Sequence, residues 1–255
     1  YGLYVAGDHA LGSGLLTIKA YNVHDRYQHI RADPGPATIA NDIWIDDAFS
    51  IWDGYLWLML GGNGQALKLT GEVLGSTSNN ATGRNKVEVK SGATLAATGR
   101  IDARVTIEAG AALSAGDGCG ALTINSNLSF TAGTSLFKVD LAGTIPGRKH
   151  DQITINNGVV TLNGATFTNS PVAGPITPDS RLFILVNNGP AAVGGTFKGL
   201  LQDATVDLGT YGGKAASCRI SYTGDEASGA VTGGNDIVLY AFQGTGSKGT
   251  MMLLR

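Results

Sequence analysis

A β-solenoid, all-β throughout and ending in a β-rich C-terminal segment, is the fold predicted by three features of the sequence. Apolar and polar residues alternate with a period of two nearly everywhere, as half-buried strands require. One short phrase recurs: VEVKSGATL from Val87, VTIEAGAAL from Val105, LSFTAGTSL from Leu128 and VVTLNGATF from Val159. Finally, 38 of the 255 residues are Gly, only 15% are charged, and the net charge is −2. That balance fits a folded chain with many tight turns rather than a disordered one.

The phrases start at 87, 105, 128 and 159, so the steps between them are 18, 23 and 31 residues. Steps near this size match one coil of a stacked repeat better than an array of hairpins. One coil buries a single face of its strands and is unstable alone. Stacked coils bury a continuous apolar column and pair each backbone edge with the next coil. In each phrase the Gly reads as a corner free of a Cβ penalty. The closing Leu or Phe reads as the next inward residue, and the widening steps as longer loops inserted at one corner.

The chain divides into three segments. Residues 1–80 hold expected strands in LLTIKA, IWIDDAFSIW, YLWLML and ALKLTGEV. Residues 81–168 hold the regular coils, after a loop at ATGRNK. There VEVK turns Val87 and Val89 inward, VTIE does the same with Val105 and Ile107, and FKVDL with Phe137, Val139 and Leu141. In ITI, Ile153 and Ile155 flank Thr154, while GTIPGRKHD from Gly143 reads as a long polar loop. Residues 169–255 form the last segment. NSPVAGPITPDS carries three of the seven prolines and is expected to leave the stack. RLFILV from Arg181 reads as a fully buried strand, 196–242 as a last strand group, and QGTGSKGTMMLLR as a Gly-rich tail with an apolar end.

GSGLLTIKA, ATIANDIWI and ALKLTGEVLG resemble the autotransporter-associated β-strand repeat of large bacterial surface proteins. GALTINSNLSFTAGTSLFKVDL, DQITINNGVVTLNGATF, GTFKGL, RISYTG and GNDIVL resemble the C-terminal part of such passengers. The resemblance covers nearly the whole chain. It implies a right-handed parallel β-helix, a place outside the cell or on a bacterial surface, structural or adhesive work, and no catalytic residues to carry over.

Several function classes are disfavoured. No basic stripe offers a nucleic-acid footprint. No run of about 18 apolar residues offers a membrane-spanning helix. No Walker loop or nucleophile elbow is present, and no cofactor is expected. Asp46, Asp47 and Asp53 are the densest acids, with Asp225 and Glu226 a second group. Glycoside hydrolysis needs two carboxyls at a defined separation, and no acidic ladder repeats from coil to coil. HDRYQH brings His24, Asp25 and His29 close in sequence, yet these, His9 and His150 read as exposed loop residues rather than metal ligands. Cys218 shares a strand face with Ile220 and Tyr222, as a buried free thiol or as a partner of Cys119.

Trp44, Trp52 and Trp57 lie within fourteen residues, with Phe49 and Tyr55 among them. Such residues dominate interface hot spots. They read as a core plug, a subunit interface or a glycan platform. Tyr1 and Leu3 at one end, and Met251, Met252, Leu253 and Leu254 at the other, are the candidate assembly strands. Open sheet edges at the ends of a solenoid invite stacking, and a head-to-tail contact that does not close builds a filament. The expectation is a non-enzymatic structural subunit of an extracellular bacterial filament or surface layer, with itself as partner. The alternatives are a monomeric adhesin that binds extracellular glycans and, less favoured, a polysaccharide-degrading enzyme.

Overall fold

The computed structural model describes residues 2–5, 11, 14–19, 27–33, 35–46, 57–61, 67–69, 73–75 and 86–245. Among them are 23 strands and no helix. The strands form three sheets, mostly parallel.

The seven-stranded sheet runs in the order β1 (Gly2–Val5), β3 (Tyr27–Ala32), β6 (Trp57–Leu60), β9 (Lys86–Val89), β12 (Arg104–Ile107), β15 (Leu128–Phe130) and β18 (Val160–Thr161). The six-stranded sheet holds β4 (Ala37–Ile39), β7 (Leu67–Leu69), β10 (Ala93–Ala96), β13 (Ala112–Ser114), β16 (Leu136–Val139) and β19 (Thr166–Asn169). The ten-stranded sheet starts with β2 (Leu16–Lys19), β5 (Ile43–Asp46), β8 (Val73–Gly75), β11 (Gly99–Ile101), β14 (Ala121–Ile124), β17 (Gln152–Asn156) and β20 (Leu182–Asn188). It ends antiparallel, through β23 (Asp236–Gln243), β22 (Lys214–Gly224) and β21 (Thr205–Tyr211).

In-register pairing explains the core. Ile39, Leu69, Leu95, Leu113 and Phe137 follow one another across the six-stranded sheet, all at 1% exposure or less. Val87, Val105, Leu128 and Val160 do the same in the seven-stranded sheet. Each full burial of such a side chain contributes about 1.5–3 kcal/mol, and a single cluster gathers them from all three sheets. On the seven-stranded sheet, Glu88 meets Lys86 and Lys90, and Lys90 also meets Glu108. At the end of the ten-stranded sheet's middle strands, amides form a ladder. Asn125 Nδ2 donates to Asp102 (2.7 Å), Asn156 Nδ2 to Asn125 (2.9 Å) and Asn188 Nδ2 to Asn156 (3.0 Å).

The register corrects the repeat frame. Leu128 pairs with Val160, so the fourth phrase starts at Val160 and not Val159. Leu113 pairs with Phe137, so the third phrase closes on Phe137 rather than Leu136. The turns align at 90–93, 108–111, 132–135 and 162–165, each closed by a backbone bond from its last N–H to its first carbonyl. Gly92, Gly110 and Gly164 sit in these turns at φ +83°, +75° and +71°. In the third turn Thr134 takes that place, and Gly133 is not in the left-handed region. One extra residue ahead of that turn shifted the glycine relative to the corner.

The widening of the repeat is confined to one corner. From the six- to the ten-stranded sheet the connections are 97–98, then 115–120, then 140–151. From β9 to β19 the other two corners stay short.

Two loop expectations change. NSPVAGPITPDS does not leave the stack: Val172 (6%) and Ile176 (0%) join the core. Ala173 N–H donates to the Leu141 carbonyl, and Ile176 N–H to that of Thr245. The prolines lack donors of their own, but the residues between them keep the backbone paired. GTIPGRKHD is not simply polar loop either, because His150 and Asp151 are buried at 1% and 2%.

Beyond β19 the column is closed by aromatic packing. Phe197 lies 5.2 Å from Phe137, 5.5 Å from Phe167 and 6.0 Å from Tyr222, ring centre to ring centre. The Tyr222 hydroxyl accepts from Phe197 N–H (3.0 Å) and donates to the Leu200 carbonyl (2.7 Å). Of RLFILV, Leu182 to Val186 lie in β20 and are buried as expected, whereas Arg181 precedes the strand and is exposed. Cys218 is a buried free thiol and Cys119 is also free, so they do not pair.

Candidate functional site

The residues singled out in the sequence do not converge. Leu3 sits on β1, the edge strand of the seven-stranded sheet, at 37% exposure beside Tyr4 at 54%. Arg31 donates to the Tyr4 hydroxyl (3.3 Å). The Trp44 backbone lies in β5, paired with Thr17 and Leu74, and that of Trp57 in β6, paired with Tyr27 and Lys86. These strands belong to different sheets, so the two tryptophans do not share one sheet face. Their side chains, and Tyr1, Trp52, Tyr55, Met251, Met252, Leu253 and Leu254, lie outside the described residues.

The candidate acids and histidines scatter as well. Asp46 is described only by its backbone in β5, and Asp47, Asp53, His9, His24 and Asp25 lie outside the described residues. Asp225 accepts from the Ser228 hydroxyl (2.6 Å), a turn-closing contact. His29 is half-buried beside Arg31, and burial followed by that positive charge lowers its pKa. Among the described residues no cluster of three His, Cys, Asp or Glu is placed to hold a metal.

What the structure does assemble is a groove of about 480 Å³ across the six-stranded sheet. Its floor and sides draw on Thr38 of β4, Thr94 and Ala96 of β10, and Ser114 of β13. Lys138, Asp140 and Ser170 continue it. Ala96 and Ser114 are partners in register, and both are buried, at 2% and 7%. The corner loop 115–120 (AGDGCG) contributes Gly116, Asp117 and Gly118 to the lining.

That wall is held from beneath by Asp151. One carboxylate oxygen accepts from Gly120 N–H (2.9 Å). The other accepts from Asp140 N–H (3.0 Å) and from the Ser114 hydroxyl (3.4 Å). One buried side chain therefore ties the wall, the groove floor and the 140–151 loop together. A Cβ at Gly120 would lie 2.0 Å from the Ala115 carbonyl oxygen, so only glycine closes this loop. Burial pushes the Asp151 carboxyl up to about 7, with the Asp140 charge adding to the rise and the backbone N–H bonds opposing it. Burial lowers His150 to about 4, although its Nδ1 is 3.3 Å from the Gly143 carbonyl. Burial raises the Cys119 thiol, and the charges of Asp151 and Asp140 raise it further.

Reading the loop as polar missed Asp151, although a signal was present. Counting back by twos from Ile155 and Ile153 reaches Asp151, on the inward phase just ahead of β17. Nothing local marked His150, which is buried and whose backbone bridges to Leu141 and Pro146 across the loop.

Comparison with protein-family models, with curated proteins and with solved structures finds no match. No helix among the described residues is long and apolar enough to cross a membrane.

Proposed function

We propose that the chain is a β-solenoid module of an extracellular bacterial assembly, a non-enzymatic structural part that associates with itself. The observation that carries this reading is the pairing cadence. From β2 to β17, every strand pairs in parallel with the strand three places further on. A chain wound through three sheets in rotation produces that cadence. Right-handed winding accords with the strong rule for parallel crossovers. Sparse charge and the likeness to bacterial surface repeats support the location.

The two ends differ. β1, β2 and β4 stand at the ends of their sheets among the described residues, with Leu3, Tyr4 and Leu15 exposed nearby. At the other end Phe197, Tyr222 and the antiparallel β21–β23 cover the column. Unpaired edges recruit further strands, and covered ends resist them. A head-to-tail contact between copies that does not close builds a filament, whereas a contact about a two-fold axis builds a closed pair.

Sedimentation and electron microscopy over a concentration series test this. The expected result is end-joined rods in equilibrium with single ones, with joining suppressed by Leu3→Lys and Tyr4→Lys. Single rods at every concentration, or joining indifferent to those charges, overturn the reading.

A further inference from the structure

We propose that the groove across the six-stranded sheet binds an extended, uncharged saccharide chain, laid across the strands and held against the 115–120 wall. The inference goes beyond the structural role and does not depend on it.

Shape comes first. The lining runs from Thr38 on β4 to Lys138 on β16. These strands are four neighbour spacings apart, or about 19 Å at the usual strand separation. A volume of about 480 Å³ drawn out over that length suits a chain of several small units rather than one compact molecule. The volume lies within the range of ordinary ligand sites.

The chemistry narrows the class. Thr38 and Thr94 bring hydroxyls and Lys138 an ammonium; the Ser114 hydroxyl already donates to Asp151 and that of Ser170 to Asp140, and Asp117 and Asp140 bring carboxylates that can accept further bonds. Carboxylates only accept, the ammonium only donates, and hydroxyls do both. Closely spaced ligand hydroxyls satisfy all three. A polyanion meets two carboxylates against one ammonium, which disfavours it. An extended peptide normally adds to a free sheet edge, and the central strands β7, β10, β13 and β16 have both neighbours in place.

The wall supplies an independent argument. Stacking needs only a short corner, as residues 97–98 demonstrate, yet the next two corners extend to 115–120 and 140–151. Long connections on a rigid scaffold are where binding groups concentrate. Asp151 fastens both insertions to the groove floor at Ser114. A wall fixed before binding avoids the ordering cost that weakens flexible sites.

Calorimetric titration of the full chain with uncharged hexasaccharides tests the proposal: α-linked and β-linked glucans and a chitin-type hexamer. Polygalacturonate and a lysine-rich decapeptide serve as charged controls. Thr94→Tyr fills the groove floor with a residue that strands tolerate, and circular dichroism checks its fold. The expected result is saturable binding of at least one uncharged hexamer, weakened about tenfold or more by Thr94→Tyr. Binding of no hexamer overturns the proposal, as does binding of the peptide or polygalacturonate alone. Hexamer binding that survives Thr94→Tyr but disappears with Trp52→Ala also overturns it, assigning the saccharide to the aromatic segment.

Discussion

His150 and Asp151 are chain neighbours, both almost fully buried, and burial moves each toward its neutral form from opposite sides of the pH scale. The His150 pKa is lowered to about 4 and that of Asp151 is raised to about 7. Between those values both groups are neutral, so neither needs a buried counter-ion.

The pair predicts opposed pH dependences. His150 binds fewer protons folded than unfolded, so its contribution is lost as pH falls from about 6.5 toward 4. Asp151 binds more protons folded, so its contribution is full below about 4 and lost as pH rises toward 7. The two slopes nearly cancel from pH 4.5 to 6.5. His150→Gln should leave the Asp151 slope, with stability falling on the order of 2 kcal/mol as pH rises across that window. Asp151→Asn should leave the His150 slope, with stability rising by a similar amount. Glu88, whose lysine partners hold its pKa down, adds an acid-labile contribution common to every variant. Urea midpoints at pH 4.5, 5.5 and 6.5 decide the matter, and identical profiles for all three proteins would sink it.

The amide ladder predicts coupling between neighbouring strands of the ten-stranded sheet. Asn156→Ala leaves Asn125 without a donor and Asn188 without an acceptor. The expected cost is about 1–2 kcal/mol. A double-mutant cycle with Asn125→Ala should be non-additive, because the two share a bond. Strict additivity would mean that the ladder is geometry without energy.

Closure by Phe197 predicts a local weak point. Phe197→Ala removes the ring that joins Phe137, Phe167 and Tyr222 and should cost about 3–5 kcal/mol. Leu201→Ala, at a residue 70% exposed, should stay within about 0.5 kcal/mol. Denaturant titration of the pair provides the comparison, and equal costs would contradict the packing account.

The groove wall predicts a contrast between two glycines. Gly120→Ala forces a clash with the Ala115 carbonyl and should free the Gly120 N–H from Asp151. Gly118→Ala meets nothing within 4 Å and bears only the strain of φ +99°, about 1 kcal/mol. Hydrogen exchange across 115–120 should accelerate strongly in the first variant and little in the second. The reverse order would show that Asp151 does not hold the wall.

Much of the strand content was legible because alternation is local. Val87, Val89, Val105, Ile107, Ile153 and Ile155 announce their faces through their immediate neighbours, and all are buried as expected. The frame slipped by one at Val159 because phrase matching follows residue identity, whereas register follows backbone pairing. The groove was not legible. Thr38, Thr94, Ser114 and Lys138 are unremarkable outward strand residues until stacking lines them up. His150 looked exposed because nothing in its immediate sequence marks its pairing with Leu141 and Pro146 across the loop.

The sequence by itself determined an all-β chain, turns at Gly92, Gly110 and Gly164, and the apolar rows that each strand contributes. These follow from side-chain period and backbone freedom, which act over a few residues. Only the tertiary structure decided which strands pair, which end of the column is covered, and that Asp151 joins two corner loops into one wall. Those outcomes rest on contacts between residues about 20–40 positions apart, where loop closure opposes each contact and only the summed pairing and burial of the whole stack outweighs it.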